Sequence, residues 1–530
     1  MFRSTAIRLS AALAVSALVQ GLAVAATTLS PLTGGGPALT QTSYDATVIS
    51  FDGTPIEITV FVPNAPANTP VPLMINGNPW GGHRLETLPV QGLINKAFFT
   101  ESEAAAQTAN ENGYFLISYD ERGWGDSGGV DELMSPGYEG KDLQAILDWA
   151  QDNLGPQLAY RNGQLVAGME GWSYGGANQL MGASLDPRIS VIVPALTWNS
   201  LVTSLAPGLP TPQPKGEWSS LLLLTAEFMG ATLNPSFKTD MQDAANGEVD
   251  PGLIQMATPN GPNAYCSGGV DPNPGQSLPT IPVFLVQGWA DTLFSANQAV
   301  ANAQCLRQSS PDVRLLIQQY GHSLPFSQKI PNGDGIIGVA MQDQITCGTQ
   351  TFKLSDAMYS FVDQYIRGPA ASGPSVNVPQ TCVTLDDSSG LVLDSIPVGN
   401  TSFTIVSTSI KRTTFIPLYT VTTPRALAGI PHLTITITAD KSDEPPYAYF
   451  GIGVKRKGSL SDTLLDDQVL PIQGAGSYDA DMIGVAASLN AGDVVGVIAD
   501  VSSSQYDYGK ISRKAGNYSV SGTFSLPFAD

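Results

Sequence analysis

Short apolar runs of the buried-strand type alternate with helix-like stretches over the first 380 residues. Ala46 to Val62 reads as a hairpin turning at Asp52-Gly53. Val71–Ile75, Tyr114–Tyr119, Gln164–Met169, Ile189–Pro194, Val283–Gln287 and Val313–Gln319 then read as strands. Glu101–Asn112, Lys141–Asn153, Gly176–Leu185, Ser295–Arg307 and Ser355–Ile366 carry helical periodicity. Strands alternating with helices predict a parallel sheet covered on both faces.

Residues 197–278 interrupt this alternation. Pro207, Pro210, Pro212 and Pro214 precede a helical Trp218–Met229 and the loop-rich Asn260–Pro274. An insertion after a strand reads as a cap over a site, or as a surface excursion without a role. Beyond residue 380 the period becomes two. Thr401–Val406, His432–Thr438, Tyr447–Val454, Val494–Val501 and Tyr518–Leu526 read as strands, with no long helical pattern between them. This predicts an all-β sandwich of jelly-roll type. The fold class is therefore α/β followed by all-β: an α/β region over 26–379, with its cap at about 197–278, and a jelly roll over 380–530.

Composition narrows the function. Of 530 residues 42% are hydrophobic and 13% charged, which excludes a disordered chain. The net charge of −21 argues against nucleic acid, whose phosphates are bound by clustered Lys and Arg. Residues 1–25 read as a cleaved export signal. Arg3 and Arg8 supply the positive start, Leu9–Val24 the short apolar stretch and Ala23-Val24-Ala25 the small-residue cleavage site. A membrane anchor is the competing reading, weakened by Gln20 and by the short apolar length. No later segment is long and apolar enough to span a bilayer, so the expected location is secreted or periplasmic. An even count of four cysteines in an exported chain suggests two disulfides. Pairing by sequence neighbours gives Cys266–Cys305 and Cys347–Cys382, one of three possible arrangements. A zinc site is disfavoured, because C-x-x-C is absent and the histidines number three.

The sharpest chemical signal is Gly171-Trp172-Ser173-Tyr174-Gly175-Gly176, between an apolar run and a helical stretch. That context fits a nucleophile elbow, a turn so tight that glycine must flank the serine. A serine hydroxyl needs a base, and the candidates are His83, His322 and His432. His432 begins a strand in the β-rich region, and His83 precedes the elbow. His322 directly follows the last strand, where the order Ser, acid, His requires it. The acid must lie between Ser173 and His322. Asp291 ends the run Ile281–Gly288 plus a short turn, at a strand's C-terminal end. Asp312 is the reserve, although it begins a strand. An oxyanion hole would use the backbone N–H of Tyr174 and a donor from the loop Asn76–His83. Within that loop Asn78 and Trp80 are the substrate-side candidates. The donor is the Trp80 N–H, its indole, or a glycine amide; alternatively Trp80 only lines the acyl pocket.

Asp120-Glu121-Arg122-Gly123-Trp124-Gly125-Asp126-Ser127-Gly128-Gly129 resembles the D-x-R-G-x-G-x-S-x-G stretch of the X-Pro dipeptidyl-peptidase and cocaine esterase family. The G-W-S-Y-G-G elbow, the inserted cap and a C-terminal jelly roll carrying Gly429-Ile430-Pro431-His432-Leu433 agree with it. The resemblance implies a serine hydrolase of esters or amides with Ser173, Asp291 and His322 as triad, and no metal or organic cofactor. It implies a Tyr after the oxyanion-loop proline, where this chain has Trp80 after Pro79. It also implies a structural role for Arg122, bonding loop carbonyls. The expected partner is a small ester or peptide substrate. A dipeptidyl-peptidase must bind a terminal ammonium, for which Glu217 or Glu227 of the cap are the candidate acids. An acyl esterase is favoured over an aminopeptidase. A non-catalytic carbohydrate-binding protein is the rival from another class. The sequence leaves the oligomeric state open.

Overall fold

A computed structural model of the protein describes residues 29–91, 96, 98–266, 275–323, 339–440, 446–506 and 516–529. The expected export signal over 1–25 lies outside the described residues. Among those residues no helix is long and apolar enough to cross a membrane.

Ten strands form the central sheet. Its order across the sheet is Thr42–Ile49, Pro55–Val62, Phe115–Tyr119, Leu73–Gly77, Ala167–Trp172, Ile189–Ala195, Val283–Gly288, Val313–Gln318, Thr381–Thr384, Gly390–Val392. From Phe115–Tyr119 to Thr381–Thr384 every neighbouring pair is parallel, and the pairs at the two edges are antiparallel. Alternate strand residues enter opposite cores. Leu73, Ile75, Phe115 and Ile117 pack with the helices Glu139–Leu154, Tyr174–Leu185 and Ala296–Leu306. Met74, Leu116 and Phe284 pack with Glu101–Glu111 and Leu354–Ile366. A sheet buried on both faces needs apolar residues at successive positions, and the run Val283–Gln287 has them.

The sheet is longer than the pattern suggests. The change of pattern near 380 precedes its edge, because Thr381–Thr384 and Gly390–Val392 still belong to it. Their hairpin turns through the polar Asp386–Ser389, so these short strands read with the β-rich part of the chain. The expected strand Gln164–Met169 also divides. Gln164–Leu165 pairs with Tyr160–Arg161, while Ala167–Trp172 enters the sheet and runs up to Ser173.

The insertion is helical. Leu201–Leu205, Gly216–Phe228, Pro235–Ala245 and Pro251–Ala257 enclose a third core with Trp198, Trp218 and Phe237. The C-terminal part is the expected β-sandwich. One sheet has the order Thr401–Ile410, Tyr518–Leu526, His432–Ala439, Gly476–Asp481. The facing sheet is built on Thr414–Thr420, Val494–Asp500 and Tyr447–Lys455. Ile435, Phe450, Val497 and Phe524 lie in the core between them. Both disulfides form as the neighbour pairing anticipates, Cys266–Cys305 and Cys347–Cys382. The first joins the cap to the helix Ala296–Leu306, and the second joins a hairpin to the sheet's edge.

Candidate active site

Ser173 sits between the strand Ala167–Trp172 and the helix Tyr174–Leu185, with φ +55° and ψ −117°. A non-glycine residue held there is strained. The surrounding glycines permit the turn. A Cβ on Gly175 would lie 2.1 Å from the Gly77 carbonyl oxygen, and one on Gly171 2.9 Å from the same atom. Ser173 is 5% exposed. As the first residue of its helix, Tyr174 has a backbone N–H without an intrahelical acceptor.

Asp291 and His322 follow the C-terminal ends of adjacent parallel strands, Val283–Gly288 and Val313–Gln318. Asp291 Oδ2 lies 2.7 Å from His322 Nδ1. The other oxygen, Oδ1, accepts the N–H groups of Leu293 at 3.0 Å and Phe294 at 2.7 Å. Gln287 Nε2 reaches Oδ2 at 3.3 Å. An ionised Asp291 places the imidazole proton on Nδ1 and leaves Nε2 as a lone-pair acceptor. That Nε2 is buried and has no hydrogen-bond partner among the described residues. The ring is enclosed by Phe294, Trp172 and Trp218, at centroid distances of 5.3, 5.9 and 6.2 Å. Trp172 precedes Ser173, and Phe294 lines the same cavity as Ser173. The fold therefore gathers Ser173, Asp291 and His322 at one end of the sheet. The reserve acid Asp312 is at the other end, paired with Arg314 at 2.9 Å. His83 is near Asp120 at 4.0 Å, and His432 pairs with Asp479 and Asp481 on the β-sandwich.

The cavity beside Ser173 has a volume of about 30 Å³. Trp80, Tyr174, Trp198, Leu205, Leu222 and Phe237 wall it, and among the described residues no charged side chain lines it. Neither acid proposed for ammonium binding is there. Glu227 pairs with Lys238 at 3.0 Å, and Glu217 lies in the first turn of Gly216–Phe228.

In the loop 76–83 two side chains are held by partners of their own. The Trp80 indole donates to the Leu222 carbonyl at 3.0 Å, so this N–H holds the cap rather than facing a reaction centre. The Asn78 amide donates to Asp120 Oδ1 at 3.3 Å and ties the loop to the stretch beginning at Asp120. Arg122 differs from its expected role. Its guanidinium binds carboxylates, not carbonyls: Asp142 at 2.6 and 2.7 Å and Asp52 at 3.1 Å. A buried guanidinium is better matched by a bidentate carboxylate.

Several surrounding groups carry no signal in the sequence. The Tyr174 hydroxyl donates to Asp131 Oδ2 at 2.9 Å and accepts the Met134 N–H at 2.7 Å. The Trp124 indole donates to the same Asp131 oxygen at 2.6 Å. Burial lifts the Asp131 carboxyl to about 6, against the pull of these donors. Lys215 Nζ donates to the Leu293 carbonyl at 3.0 Å. Burial pulls its ammonium down to about 7, with the charge of Asp291 opposing the fall. The Trp218 indole donates to Thr292 Oγ1 at 3.0 Å, and Thr292 Oγ1 donates to the His322 carbonyl at 3.1 Å. Pattern alone cannot find such residues, because a lone Lys or Asp in a loop reads as solvated.

A parallel sheet with a serine at a strained strand-to-helix turn, and a hydrogen-bonded aspartate and histidine on neighbouring strand ends, fits a serine hydrolase of the α/β-hydrolase class. The chain belongs to the X-Pro dipeptidyl-peptidase (S15) family, which it matches over residues 52–324. Among curated proteins none matches the sequence. Solved structures share the fold. A CocE/NonD family hydrolase from Staphylococcus aureus is 13% identical with a TM-score of 0.63, covering 94% of this chain and 97% of that one. An aminopeptidase from a marine sediment archaeon, Thaumarchaeota archaeon, is 12% identical with a TM-score of 0.62, covering 92% and 96%. An α-amino acid ester hydrolase is 12% identical with a TM-score of 0.59, covering 97% and 100%.

Proposed function

We propose that this serine hydrolase cleaves esters of short, uncharged acyl groups through an acyl-enzyme on Ser173. His322 Nε2 takes the Ser173 proton as Oγ attacks the carbonyl carbon, and returns it to the leaving alcohol. Asp291 holds the Nδ1–H tautomer and stabilises the imidazolium. The Tyr174 N–H and an amide of the loop 76–83 receive the oxyanion. Water, deprotonated by the same histidine, then releases the acid.

The observation that carries the ester reading is the wall of the cavity beside Ser173, which is apolar and, among the described residues, has no charged group. A substrate ammonium buried there without a partner would be costly. Amide cleavage after X-Pro is the second reading, and membership of the X-Pro dipeptidyl-peptidase family favours it. Turnover of nitrophenyl esters and X-Pro anilides on one preparation separates the two. Esters are expected to exceed anilides in kcat/KM by at least about 100-fold, equivalent to about 2.7 kcal/mol. The reverse order overturns the ester reading. A fluorophosphonate should label the wild type and not Ser173→Ala; labelling of both would remove Ser173 as nucleophile.

A further inference from the structure

The turn that carries Asp291 is held from outside its own domain. Gln468 belongs to the β-sandwich, between the strands Thr463–Leu464 and Leu470–Gln473. Its side chain is buried. The two hydrogens of its amide go to two carbonyls of the turn, Trp289 O at 2.8 Å and Asp291 O at 2.9 Å. The second of these is the backbone carbonyl of the triad acid itself.

The segment presenting Gln468 is itself constrained. Asp466 and Asp467 both have φ +55°, a conformation that non-glycine residues rarely hold. Asp466 Oδ2 accepts the Ala486 N–H at 2.7 Å, and the Asp467 carbonyl accepts the Gln505 amide at 2.6 Å. Two strained residues persist only where the surroundings over-determine them. Here the outcome is one primary amide fixed against the far side of the Asp291 turn. From within the catalytic region the same turn is held at the Leu293 carbonyl and the Thr292 side chain. Lys215 binds the Leu293 carbonyl and Trp218 binds Thr292.

We infer that Gln468 is a positioning residue for the reaction, fixing the Asp291 backbone so that its carboxylate meets His322. The inference rests on the proposed Ser173–His322–Asp291 reading. It gives the β-sandwich a part in the chemistry that its distance in sequence conceals. A displacement of about 1 Å in such a group can cost roughly 100-fold in rate.

A double-mutant cycle tests it. Gln468→Met keeps the volume and removes both donors. It should lower kcat on a nitrophenyl ester about 10- to 100-fold with KM changed less than about twofold. In an Asp291→Ala background the same substitution should change kcat less than about twofold, because the carboxylate that Gln468 positions is gone while the backbone carbonyl it binds remains. Asn297→Ala controls for mere domain contact. Its amide binds the Met482 carbonyl at 2.9 Å, and its carbonyl accepts the Gly484 N–H at 2.8 Å, across the same boundary but to residues outside the Asp291 turn. That variant should leave kcat unchanged. An equal loss from Gln468→Met in both backgrounds, no loss in either, or an equal loss from Asn297→Ala overturns the inference. Should the methionine variant not fold, Gln468→Glu keeps the shape and enters the same cycle with the same criteria. If Asp291→Ala alone costs less than about tenfold, the triad reading fails instead.

Discussion

Asp291 Oδ2 and His322 Nδ1 lie 2.7 Å apart on turns that follow adjacent parallel strands. Neither group could hold this geometry alone. The carboxylate's second oxygen is fixed by two backbone N–H groups, and the imidazole is walled by three aromatic rings. In the proposed mechanism the pair sets the tautomer that leaves Nε2 free to accept a proton.

Asp291→Asn retains the shape and can present an N–H where Nδ1–H needs an acceptor. The tautomer then reverses, and kcat should fall about 10⁴-fold. Steady-state kinetics on a nitrophenyl ester measures this, with circular dichroism to establish that the variant is folded. A fall of less than about tenfold would assign the acid elsewhere.

In the proposed ester reading the small cavity beside Ser173, about 30 Å³, limits the acyl chain, and kcat/KM should drop as the acyl group lengthens from acetate to octanoate. Leu222 is half-buried in the cavity wall on the cap helix. Leu222→Ala should raise the ratio of octanoate to acetate turnover at least about tenfold. A chain-length series of nitrophenyl esters reads both effects, and an unchanged ratio would place the acyl group elsewhere.

Gly175 is required by contact. Its Cβ would meet the Gly77 carbonyl oxygen at 2.1 Å, backbone against backbone, with no flexible side chain to yield. Gly175→Ala should give insoluble protein, or a folded one with the elbow displaced and activity lost. Soluble expression and fluorophosphonate labelling distinguish these. Full labelling would contradict the contact.

Stability should be greatest on the acid side of neutrality. Burial lifts Glu101 and Glu103 to about 7. Burial, and then the charge of Glu103, pushes Glu170 well above the usual carboxylate range. The native state keeps these protons where the unfolded chain has lost them. Their stabilising contribution is complete below about pH 4.5 and is lost as pH rises through the native values. Glu170→Gln should remove one group's share of that slope, up to about 1.4 kcal/mol per pH unit. Denaturant unfolding of both proteins from pH 4.5 to 8 measures it. Parallel curves would show that Glu170 is not proton-linked to folding.

Removing the Cys266–Cys305 bridge by a pair of serines should cost about 2–4 kcal/mol, since it closes a separation of 39 residues between the cap and a core helix. Thermal unfolding reads the loss. The activity should fall further than the stability if the cap's position matters to the cavity.

Much of the architecture was legible because local rules and burial agree. Val283–Gln287 is apolar at every position but its last, and it is a sheet strand buried on both faces. Gly171 and Gly175 flank Ser173 because a Cβ at either position would strike backbone. The elements that escaped the pattern are short or polar. Thr381–Thr384 and Gly390–Val392 join the main sheet through long-range pairing, not through their own periodicity. Trp80 shows the limit at the site. Its place after Pro79 left its backbone N–H, its indole, a glycine amide or a pocket-lining role open, and only the folded cap supplies the Leu222 carbonyl that takes the indole N–H.

By itself the sequence determined the order of the elements and marked Ser173, Asp291 and His322 as the candidates that the fold gathers at one end of the sheet, while it left three cysteine pairings open. These follow from periodicity, turn sterics and chain order, all of which act over a few residues. The tertiary structure alone decided what surrounds them. It set the uncharged wall of the cavity, turned Arg122 toward Asp142 and Asp52, and brought Lys215 and Gln468 to the Asp291 turn. The physical reason is that burial and hydrogen-bond partners are properties of distant segments meeting. A polar residue carries no mark in the sequence of what will desolvate it.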